Sequence, residues 1–437
     1  MAPSISRAHL RLVCGTPVGA SPPPDPTSVT VGREPAPNAT SLVLDDARMS
    51  RQHARVERST IGWRLRDLGS RNGGFVDGAA FEPDAVVPLE DGALVRLGDS
   101  MFVFRSATID DSDADDPAFP GVSPVAAAVR LRLRALAAAA GHALVLGETG
   151  TGKERAARSI GAAAPSRAFV AVNCAELSPE LARSELFGHA RGAFSSAVTA
   201  SDGLVDAAND GVLFLDEVGE LALEVQGDLL RFLEDGSYRR VGSTEVRTSR
   251  ARVVAATNVP IEEAVRTGRF RRDLLARLRA TNPPLELPPL RERREDILGW
   301  ARMFLEEALP GPAPESPWSA GVVECLLLYP WPENLRELRG VVRALASPGR
   351  WPVPSSALPA RLRMHRRGLR AEPDAPGDGP AAHRSEDPPR DEIERALLST
   401  QGRMRRASEV LGVERRKLYR LCEKLGIDVE SFRTGGG

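Results

Sequence analysis

The sequence predicts a multidomain protein in which an N-terminal β-sandwich, a central α/β domain and a C-terminal all-α helix-turn-helix domain follow one another. Its 437 residues are more than a single hydrophobic core usually serves. Two acidic, proline-rich segments contain too few large apolar residues to fold, and we interpret them as linkers. The hydrophobic period changes across these linkers, from alternating strands to buried strands and then to helices. The predicted boundaries are 10–106 for the sandwich, 107–121 for the first linker, 122–361 for the central domain, 366–389 for the second linker and 390–430 for the C-terminal domain.

The composition is that of a globular protein without a membrane segment. Hydrophobic residues make up 42% of the chain and charged residues 27%. The formal net charge of −1 means that any surface for nucleic acid must be local. The four cysteines form no CxxC pair, which favours reduced core thiols over disulfides or zinc ligands. The N-terminus has no apolar signal core and the longest apolar run, 135–146, is too short to span a bilayer. We therefore expect a cytoplasmic protein without membrane contact.

The N-terminal domain has the pattern of short strands. Residues 62–68 alternate, so that Trp63 and Leu65 share one face. Residues 93–104 predict two strands around a turn at Gly98 and Asp99. Short strands separated by regular turn signals are typical of a sandwich.

Three turns of this domain carry polar motifs in a fixed order: Gly32-Arg33, Ser50-x-x-His53 and Asn72-Gly73. The domain resembles the forkhead-associated (FHA) domain, which binds phosphothreonine peptides. A guanidinium fork, hydroxyls and amides converging from loops on a rigid scaffold suit a phosphate. By this resemblance Asn72 would hold the peptide backbone, His53 would brace the loops, and the phosphate would face Arg33, Ser50, Arg51 and Arg71. The implied partner is a phosphothreonine-containing protein or a Ser/Thr kinase.

The central domain contains a glycine-rich loop of the P-loop type. The apolar strand 143–146 runs directly into it, and a helical pattern follows. The amides of such a loop can cradle phosphates, and Lys153 can reach the β- and γ-oxygens. The predicted ATP-binding residues are Gly147, Glu148, Thr149, Gly150, Thr151, Gly152, Lys153 and Glu154.

Two further strands of this domain end in polar groups that suit ATP hydrolysis. The apolar strand within 211–221 ends in Asp216, a candidate ligand of Mg²⁺, and Glu217, a candidate for polarising the attacking water. The strand 252–258 ends in Asn258, which can sense the γ-phosphate or orient water. These residues predict an ATPase with ATP and Mg²⁺ as its cofactors.

The whole central domain resembles the AAA+ ATPase domain of bacterial enhancer-binding proteins, the activators of sigma-54 RNA polymerase. In that family the P-loop ends in GKE, as it does at Glu154. The resemblance implies that a helical lid domain begins at 287–297. It also implies roles for four further residues: Asn173 couples the catalytic glutamate to nucleotide state, Arg271 and Arg277 act on a neighbouring subunit's ATP, and Arg336 reaches the bound nucleotide. Arginines supplied by a neighbour imply a closed ring, by resemblance a hexamer.

Residues 185–198, here called the finger loop, place two phenylalanines among small residues. From the residues alone this segment is either a packed connection or a loop built to touch a partner. The resemblance implies a loop that presses Phe194 and Ser195 against sigma-54. Ser195 stands where the family has threonine and keeps a hydroxyl. Ser196 stands where the family has glycine and restricts the backbone.

The C-terminal segment has helical period, with Ile393, Ala396 and Leu397 on one face. It resembles the Fis-type helix-turn-helix domain. Residues 403–424 hold eight Arg or Lys and three Glu, a local net charge of +5. The implied partner is DNA, and the residues predicted to contact it are Arg415, Arg416, Lys417, Tyr419 and Arg420.

Together these patterns predict an ATP-dependent regulator that binds upstream DNA and remodels the sigma-54 RNA polymerase holoenzyme under phosphothreonine control. Two alternatives remain open. The protein could act as a DNA-binding AAA+ regulator without sigma-54, because of its altered finger loop. It could also be a phosphopeptide-binding scaffold with a weak motor.

Overall fold

The computed structural model describes residues 9–15, 28–36, 40–106, 119–162, 168–194, 197–346, 351–370, 388–400, 404–411, 418, 421–422 and 424–427. They fall into two compact units, Met1–Ala371 and Glu372–Gly437. The first unit contains a sandwich, a parallel-sheet domain and a helical lid. The second unit contains the C-terminal helices.

Two five-stranded sheets form the N-terminal sandwich. Its strands are β1 (His9–Cys14), β2 (Ser28–Gly32), β3 (Ser41–Val43), β4 (Ala54–Ser59), β5 (Gly62–Asp67), β6 (Gly74–Val76), β7 (Ala79–Phe81), β8 (Val86–Leu89), β9 (Leu94–Leu97) and β10 (Ser100–Arg105). The strand orders are β1-β10-β9-β6-β7 and β3-β2-β4-β5-β8. The predicted alternation in β5 is confirmed, since Trp63 and Leu65 are buried. The antiparallel pair β9 and β10 turns at Gly98, whose φ of +64° suits glycine.

A parallel sheet with helices around it forms the central domain. Its strands are β11 (Ala143–Leu146), β12 (Phe169–Asn173), β13 (Val212–Asp216), β16 (Arg252–Thr257) and β17 (Leu285–Glu286), and a separate hairpin contains β14 (Ser237–Tyr238) and β15 (Arg247–Thr248). The order is β12-β13-β16-β11-β17. The helices are α1 (Pro124–Ala138), α2 (Lys153–Gly161), α3 (Pro179–Phe187), α4 (Leu204–Ala207), α5 (Leu223–Asp235), α6 (Ile261–Arg266) and α7 (Arg272–Arg279). The central strands are continuous apolar runs because helices cover both faces.

Four helices form the lid after two short 3₁₀ turns, Leu290–Glu292 and Arg294–Asp296. They are α8 (Ile297–Ala308), α9 (Ala320–Leu328), α10 (Asn334–Ala346) and α11 (Ala360–Arg370). Trp331 is fully buried in the lid core, and its indole N–H donates to the carbonyl of Leu326 at 2.9 Å. This bond satisfies the one polar group of a large buried ring.

The second unit contains α12 (Arg390–Ser399) and α13 (Met404–Leu411). The predicted apolar face is confirmed, because Ile393, Ala396 and Leu397 are buried. They share a core with Ala407, Leu411, Leu418, Leu421, Cys422 and Ile427. The five predicted DNA-contacting residues, 415–417, 419 and 420, lie outside the described residues.

Across the ranges that the structure describes, no helix is both long and apolar enough to cross a bilayer.

Candidate functional site

The parallel sheet brings the predicted nucleotide-site residues to one edge. Register pairs Leu146 of β11 with Thr257 of β16, and Asn173 of β12 with Asp216 of β13. The loops that follow these strands therefore start side by side. Ligand sites in open α/β sheets form at this carboxyl edge.

The glycine-rich loop between β11 and α2 is shaped by positions that only glycine suits. Gly150 has φ +77°, and a Cβ there would come within 2.1 Å of the carbonyl oxygen of Glu333. Lys153 begins α2, so the loop leads directly into a helix N-terminus, which is the arrangement that binds phosphate in P-loops. Its Nζ donates to the carbonyl of Gly147 at 3.0 Å and is 3.3 Å from Oε1 of Glu217.

Glu217 is the centre of a chain of polar contacts that runs from Lys153 to Thr149. Its Oε2 accepts the backbone N–H of Asn258 at 2.9 Å, and the Asn258 amide donates to Oγ1 of Thr149 at 2.8 Å. Glu217 has φ +52°, a left-handed conformation that costs about 1–3 kcal/mol for a residue other than glycine and is concentrated at functional sites. In this conformation the carboxylate lies against Lys153.

Asp216 lies beside this network with the properties of a cation ligand. Burial, and then the adjacent Glu217 carboxylate, raise the pKa of Asp216 above its usual value. Two neighbouring carboxylates in a half-buried place favour a bound cation, and oxygen ligands suit Mg²⁺. The oxygen donors present fit the metal that the sequence predicts, and the role of Asp216 as its ligand stays a prediction.

Asn173 ends β12 and is engaged locally. Its Nδ2 donates to Oε1 of Glu176 at 2.7 Å, and its Oδ1 accepts the N–H of Ala175 at 3.2 Å. Among the described contacts it is not joined to Glu217. The predicted coupling between Asn173 and Glu217 stays a prediction. It requires the Asn173 amide to leave Glu176 and bind Glu217 instead.

The lid helix α10 meets the glycine-rich loop through Asn334, which sequence reasoning missed. Its Nδ2 donates to the carbonyl of Thr149 at 3.0 Å and to Oε2 of Glu148 at 3.2 Å. Arg336 follows, exposed, with its Cβ next to Gly150. The signal available was an asparagine two residues after Pro332 at a helix start, a residue type enriched at positive φ; Asn334 has φ +51°.

Arg291 is a second residue that the sequence did not reveal. Its guanidinium donates to both carboxylate oxygens of Glu148, at 2.7 and 2.8 Å. This bidentate pair lowers the pKa of Glu148 and keeps it ionised. Glu148, predicted to bind ATP, therefore also ties the loop to the start of the lid.

The two predicted finger arginines occupy different environments. The Arg271 side chain is 43% exposed and donates to Asp273 at 2.7 and 3.0 Å. Arg277 is half-buried and donates to the carbonyls of Leu233 and Glu234 at 2.8 and 3.1 Å. Arg271 can reach a neighbour by exchanging an exposed ion pair, whereas Arg277 would first have to leave the end of α5.

The finger loop is anchored at its base and open at its tip. His189 and Ser201 exchange two backbone bonds of 3.0 Å, and the N–H of Ala190 donates to Val241 at 2.9 Å. Phe187 at the base is 2% exposed and packs against Tyr238. Phe194 at the tip is 42% exposed and touches the His189 ring, 4.9 Å between centroids.

The two phenylalanines of the finger loop therefore differ in role, Phe187 being core and Phe194 surface. A groove of about 570 Å³ next to Phe194 is lined partly by Pro179, Leu181 and Ala193. The groove also contains polar residues, among them Glu180, Arg183 and Glu224, and an exposed aromatic ring in such a partly apolar groove is typical of a partner contact. Ser195, also predicted to touch sigma-54, lies with Ser196 outside the described residues.

The three polar turns of the sandwich converge as predicted. Ser50 Oγ accepts the backbone N–H of Arg71 at 3.1 Å, and the Ser50 carbonyl accepts the N–H of Arg33 at 3.1 Å. The Asn72 amide donates to the carbonyl of Arg48 at 3.2 Å. Arg33, Arg51 and Arg71 are exposed around this junction, which gives one rim three guanidinium groups.

His53 braces this rim from inside. It is fully buried; its Nδ1 accepts the N–H of Ser50 at 3.1 Å, and its Nε2 donates to the carbonyl of Gly73 at 2.9 Å. These two bonds require the neutral ring, and burial lowers the pKa of His53 accordingly.

Comparisons with known proteins match the chain in four stretches. The matching families are the FHA domain at residues 29–98, the Sigma-54 interaction domain at 120–282, the AAA+ ATPase lid domain at 291–370 and the Bacterial regulatory protein, Fis family, at 390–427. The four matches follow the order of the predicted domains.

Two relatives and one solved structure illustrate the likeness. The anaerobic nitric oxide reductase transcription regulator NorR of Citrobacter koseri is 35% identical over 355 residues, 78% of this chain and 69% of that protein. The alginate biosynthesis transcriptional regulatory protein AlgB of Pseudomonas syringae is 39% identical over 308 residues, 68% of this chain. The chain spans 65% of the length of that AlgB protein. A crystal structure of NtrX from Brucella abortus is 28% identical with a TM-score of 0.49, covering 71% of this chain and 70% of that one.

Proposed function

Because this chain belongs to the family of sigma-54-dependent transcriptional activators, we propose that it hydrolyses ATP to remodel sigma-54 RNA polymerase from an upstream DNA site. The observation that carries the proposal is the network of Lys153, Glu217, Asn258 and Thr149 at the sheet edge. This network and the exposed Phe194 belong to the same domain. The motor and the surface it would move are therefore parts of one structure.

ATP would bind with its phosphates on the amides of residues 147–153. Lys153 now contacts Glu217 and Gly147, and in the complex it would turn to the β- and γ-oxygens. That exchange would free the Glu217 carboxylate to accept a proton from the attacking water, while the Asn258 N–H holds its other oxygen. Mg²⁺, held by Asp216, would supply positive charge against the phosphates.

The active assembly would be a ring, and Arg271 would be supplied in trans. Its exposure and its exposed partner Asp273 support this role, because a surface ion pair is weak and exchanges readily. Lys153→Ala and Arg271→Ala are each expected to be inactive alone. Mixing the two should restore part of the ATPase activity, since an intact P-loop can then meet an intact arginine. A mixture as inactive as its components at every ratio would contradict the ring.

The sandwich would be the sensor, binding a phosphothreonine peptide on the rim of Arg33, Ser50, Arg51, Arg71 and Asn72. Arg33→Ala is expected to weaken binding of a phosphothreonine peptide by about 1.5–3 kcal/mol, because it removes a charge-assisted hydrogen bond. Calorimetry with peptides from a degenerate library measures this. Arg58→Ala is the matched control, an exposed arginine at the opposite end of β4. Equal affinity for phosphorylated and plain peptides would leave the fold without this activity.

The C-terminal helices would bind DNA through the positive residues around 415–420. Transcription from purified components tests the whole proposal. On a template with an upstream binding site and a sigma-54 promoter, open complexes should form only with hydrolysable ATP and sigma-54 polymerase. Activation that does not depend on sigma-54 would favour the alternative of a DNA-binding AAA+ regulator that acts without sigma-54. ATP-independent peptide binding without activation would favour the scaffold.

A further inference from the structure

The sandwich and the lid share one hydrophobic core. Every residue of β10 is buried, which is unusual for a sandwich strand that faces solvent on one side. Phe102 and Phe104 point into the sandwich, whereas Met101 and Val103, with Leu94 of β9, join the lid core. Alternate side chains of β10 are therefore buried in the sandwich core and in the lid core.

Charged pairs buried at the edge of this interface fix its geometry. Arg105 donates to both oxygens of Glu295 at 2.6 and 2.8 Å, and the Glu295 side chain has no exposed surface. Arg96 donates to Glu324 at 2.6 Å, and Glu324 is 1% exposed. Separating the sandwich from the lid would leave the Glu295 carboxylate without its guanidinium in a dry place, whereas Glu324 would keep Arg366 of the lid, so the Arg105–Glu295 pair favours one arrangement of the two domains.

One short segment, residues 291–296, touches the sandwich on one side and the P-loop on the other. Arg294 pairs with Asp77 of the sandwich, next to the Arg105–Glu295 pair. Within the same segment Arg291 holds Glu148, and Arg293, fully buried, donates to the carbonyl of Thr151 at 3.1 Å. Side chains within this one short segment therefore contact both the sandwich and the P-loop.

A second chain of contacts runs from the interface to the peptide rim. Arg96 and Arg48 both pair with Asp99, at 3.4 and 3.0 Å. The carbonyl of Arg48 accepts the Asn72 amide. A peptide that binds Asn72 would therefore disturb its bond to Arg48, and through Asp99 the position of Arg96, which pairs with Glu324 of the lid.

We infer that the sandwich–lid interface couples the two sites, so that a phosphothreonine peptide on the rim and a nucleotide on the P-loop change each other's affinity. The coupling passes through residues 291–296 and the Arg105–Glu295 pair. It rests on the proposed peptide binding for one of its two ligands. Because binding linkage is reciprocal, each ligand must change the other's dissociation constant by the same factor.

The test measures both affinities on the full chain. A fluorescent non-hydrolysable ATP analogue is titrated with and without a saturating phosphothreonine peptide, and the peptide is titrated with and without the analogue. We expect both dissociation constants to change by the same factor, about fivefold or more. In Glu295→Gln the dissociation constant of each ligand measured alone should stay near wild type, and the factor by which one ligand changes the other's constant should fall close to one. Glu306→Gln, in an exposed pair on α8, should leave the factor unchanged.

A second measurement separates this inference from the sensor proposal. Addition of the ATP analogue alone should change amide hydrogen exchange in residues 94–105 of wild type, and not in Glu295→Gln. Failure of every peptide to bind would refute the sensor and leave this measurement to decide the coupling. If wild type binds both ligands with a factor of one, or its exchange in 94–105 ignores nucleotide, the inference is wrong.

Discussion

Glu217→Gln is expected to lower the ATPase turnover number by about 10²- to 10⁴-fold while ATP still binds. The glutamine keeps the shape of the side chain and an oxygen that can accept the Asn258 N–H, now 2.9 Å away. It loses the carboxylate that would take a proton from water. It also loses the ion pair with Lys153, 3.3 Å at present, which leaves the lysine freer to meet the phosphates.

Two measurements on purified protein separate binding from hydrolysis in this variant. Equilibrium titration with a fluorescent ATP analogue gives the affinity, and phosphate release at saturating ATP gives the turnover number. Glu220→Gln is the matched control, an exposed glutamate in the 3₁₀ turn that follows Glu217, and should turn over like wild type. Unchanged turnover in Glu217→Gln would remove Glu217 from the mechanism.

The nucleotide site could be predicted because its residues follow strand ends. Gly147 and Asp216 come directly after apolar runs, Asn258 follows one after Thr257, and parallel strands bring their ends to one edge. Each residue is therefore recognisable from its own neighbourhood in the chain. The same holds for His53, whose motif lies within the turn that it braces.

The contacts between domains could not be predicted in this way. Arg291 and Glu148 are 143 positions apart, and Arg96 and Glu324 are 228 apart. In the sequence each of these residues is an ordinary charged residue, and only tertiary folding brings it to its partner: Arg291 and Glu148 pair while 43% exposed, and Glu324 is buried against Arg96. One local sign was available, the unbroken apolar run from Met101 to Phe104 in a domain of alternating strands, which indicates a strand covered on both faces.

The finger loop shows why burial separates two residues of one type. Phe187 and Phe194 are seven positions apart, and composition around them is similar. Phe187 ends α3 and enters the core, where Tyr238 covers it. Phe194 lies two residues after Gly192, which has φ +79°, and its ring stays 42% exposed. The sequence left both interpretations of the segment open; the burial of Phe187 fits a packed connection, and the contact of Phe194 with a partner stays a prediction.

Phe194→Ala is expected to abolish transcription activation while ATPase activity stays within a few-fold of wild type. Its ring is 42% exposed and contacts mainly His189, so its removal costs the fold little. A partner surface that buries such a ring would lose an aromatic anchor, typically worth about 2 kcal/mol or more. Open-complex formation on a sigma-54 promoter and steady-state ATP hydrolysis measure the two activities side by side.

Two matched variants decide what the loss of activation means. Val198 is 74% exposed in the same loop. Val198→Ala should activate normally if the loss in Phe194→Ala comes from the aromatic ring and not from shortening any exposed side chain of the loop. Phe187→Ala should instead destabilise the domain by about 3–5 kcal/mol, because it opens a cavity in the core. If Phe194→Ala lowers the unfolding temperature as Phe187→Ala does, the finger loop is a packed connection. If it activates like wild type, the loop does not contact sigma-54 through this ring, and the regulator reaches its polymerase by another surface.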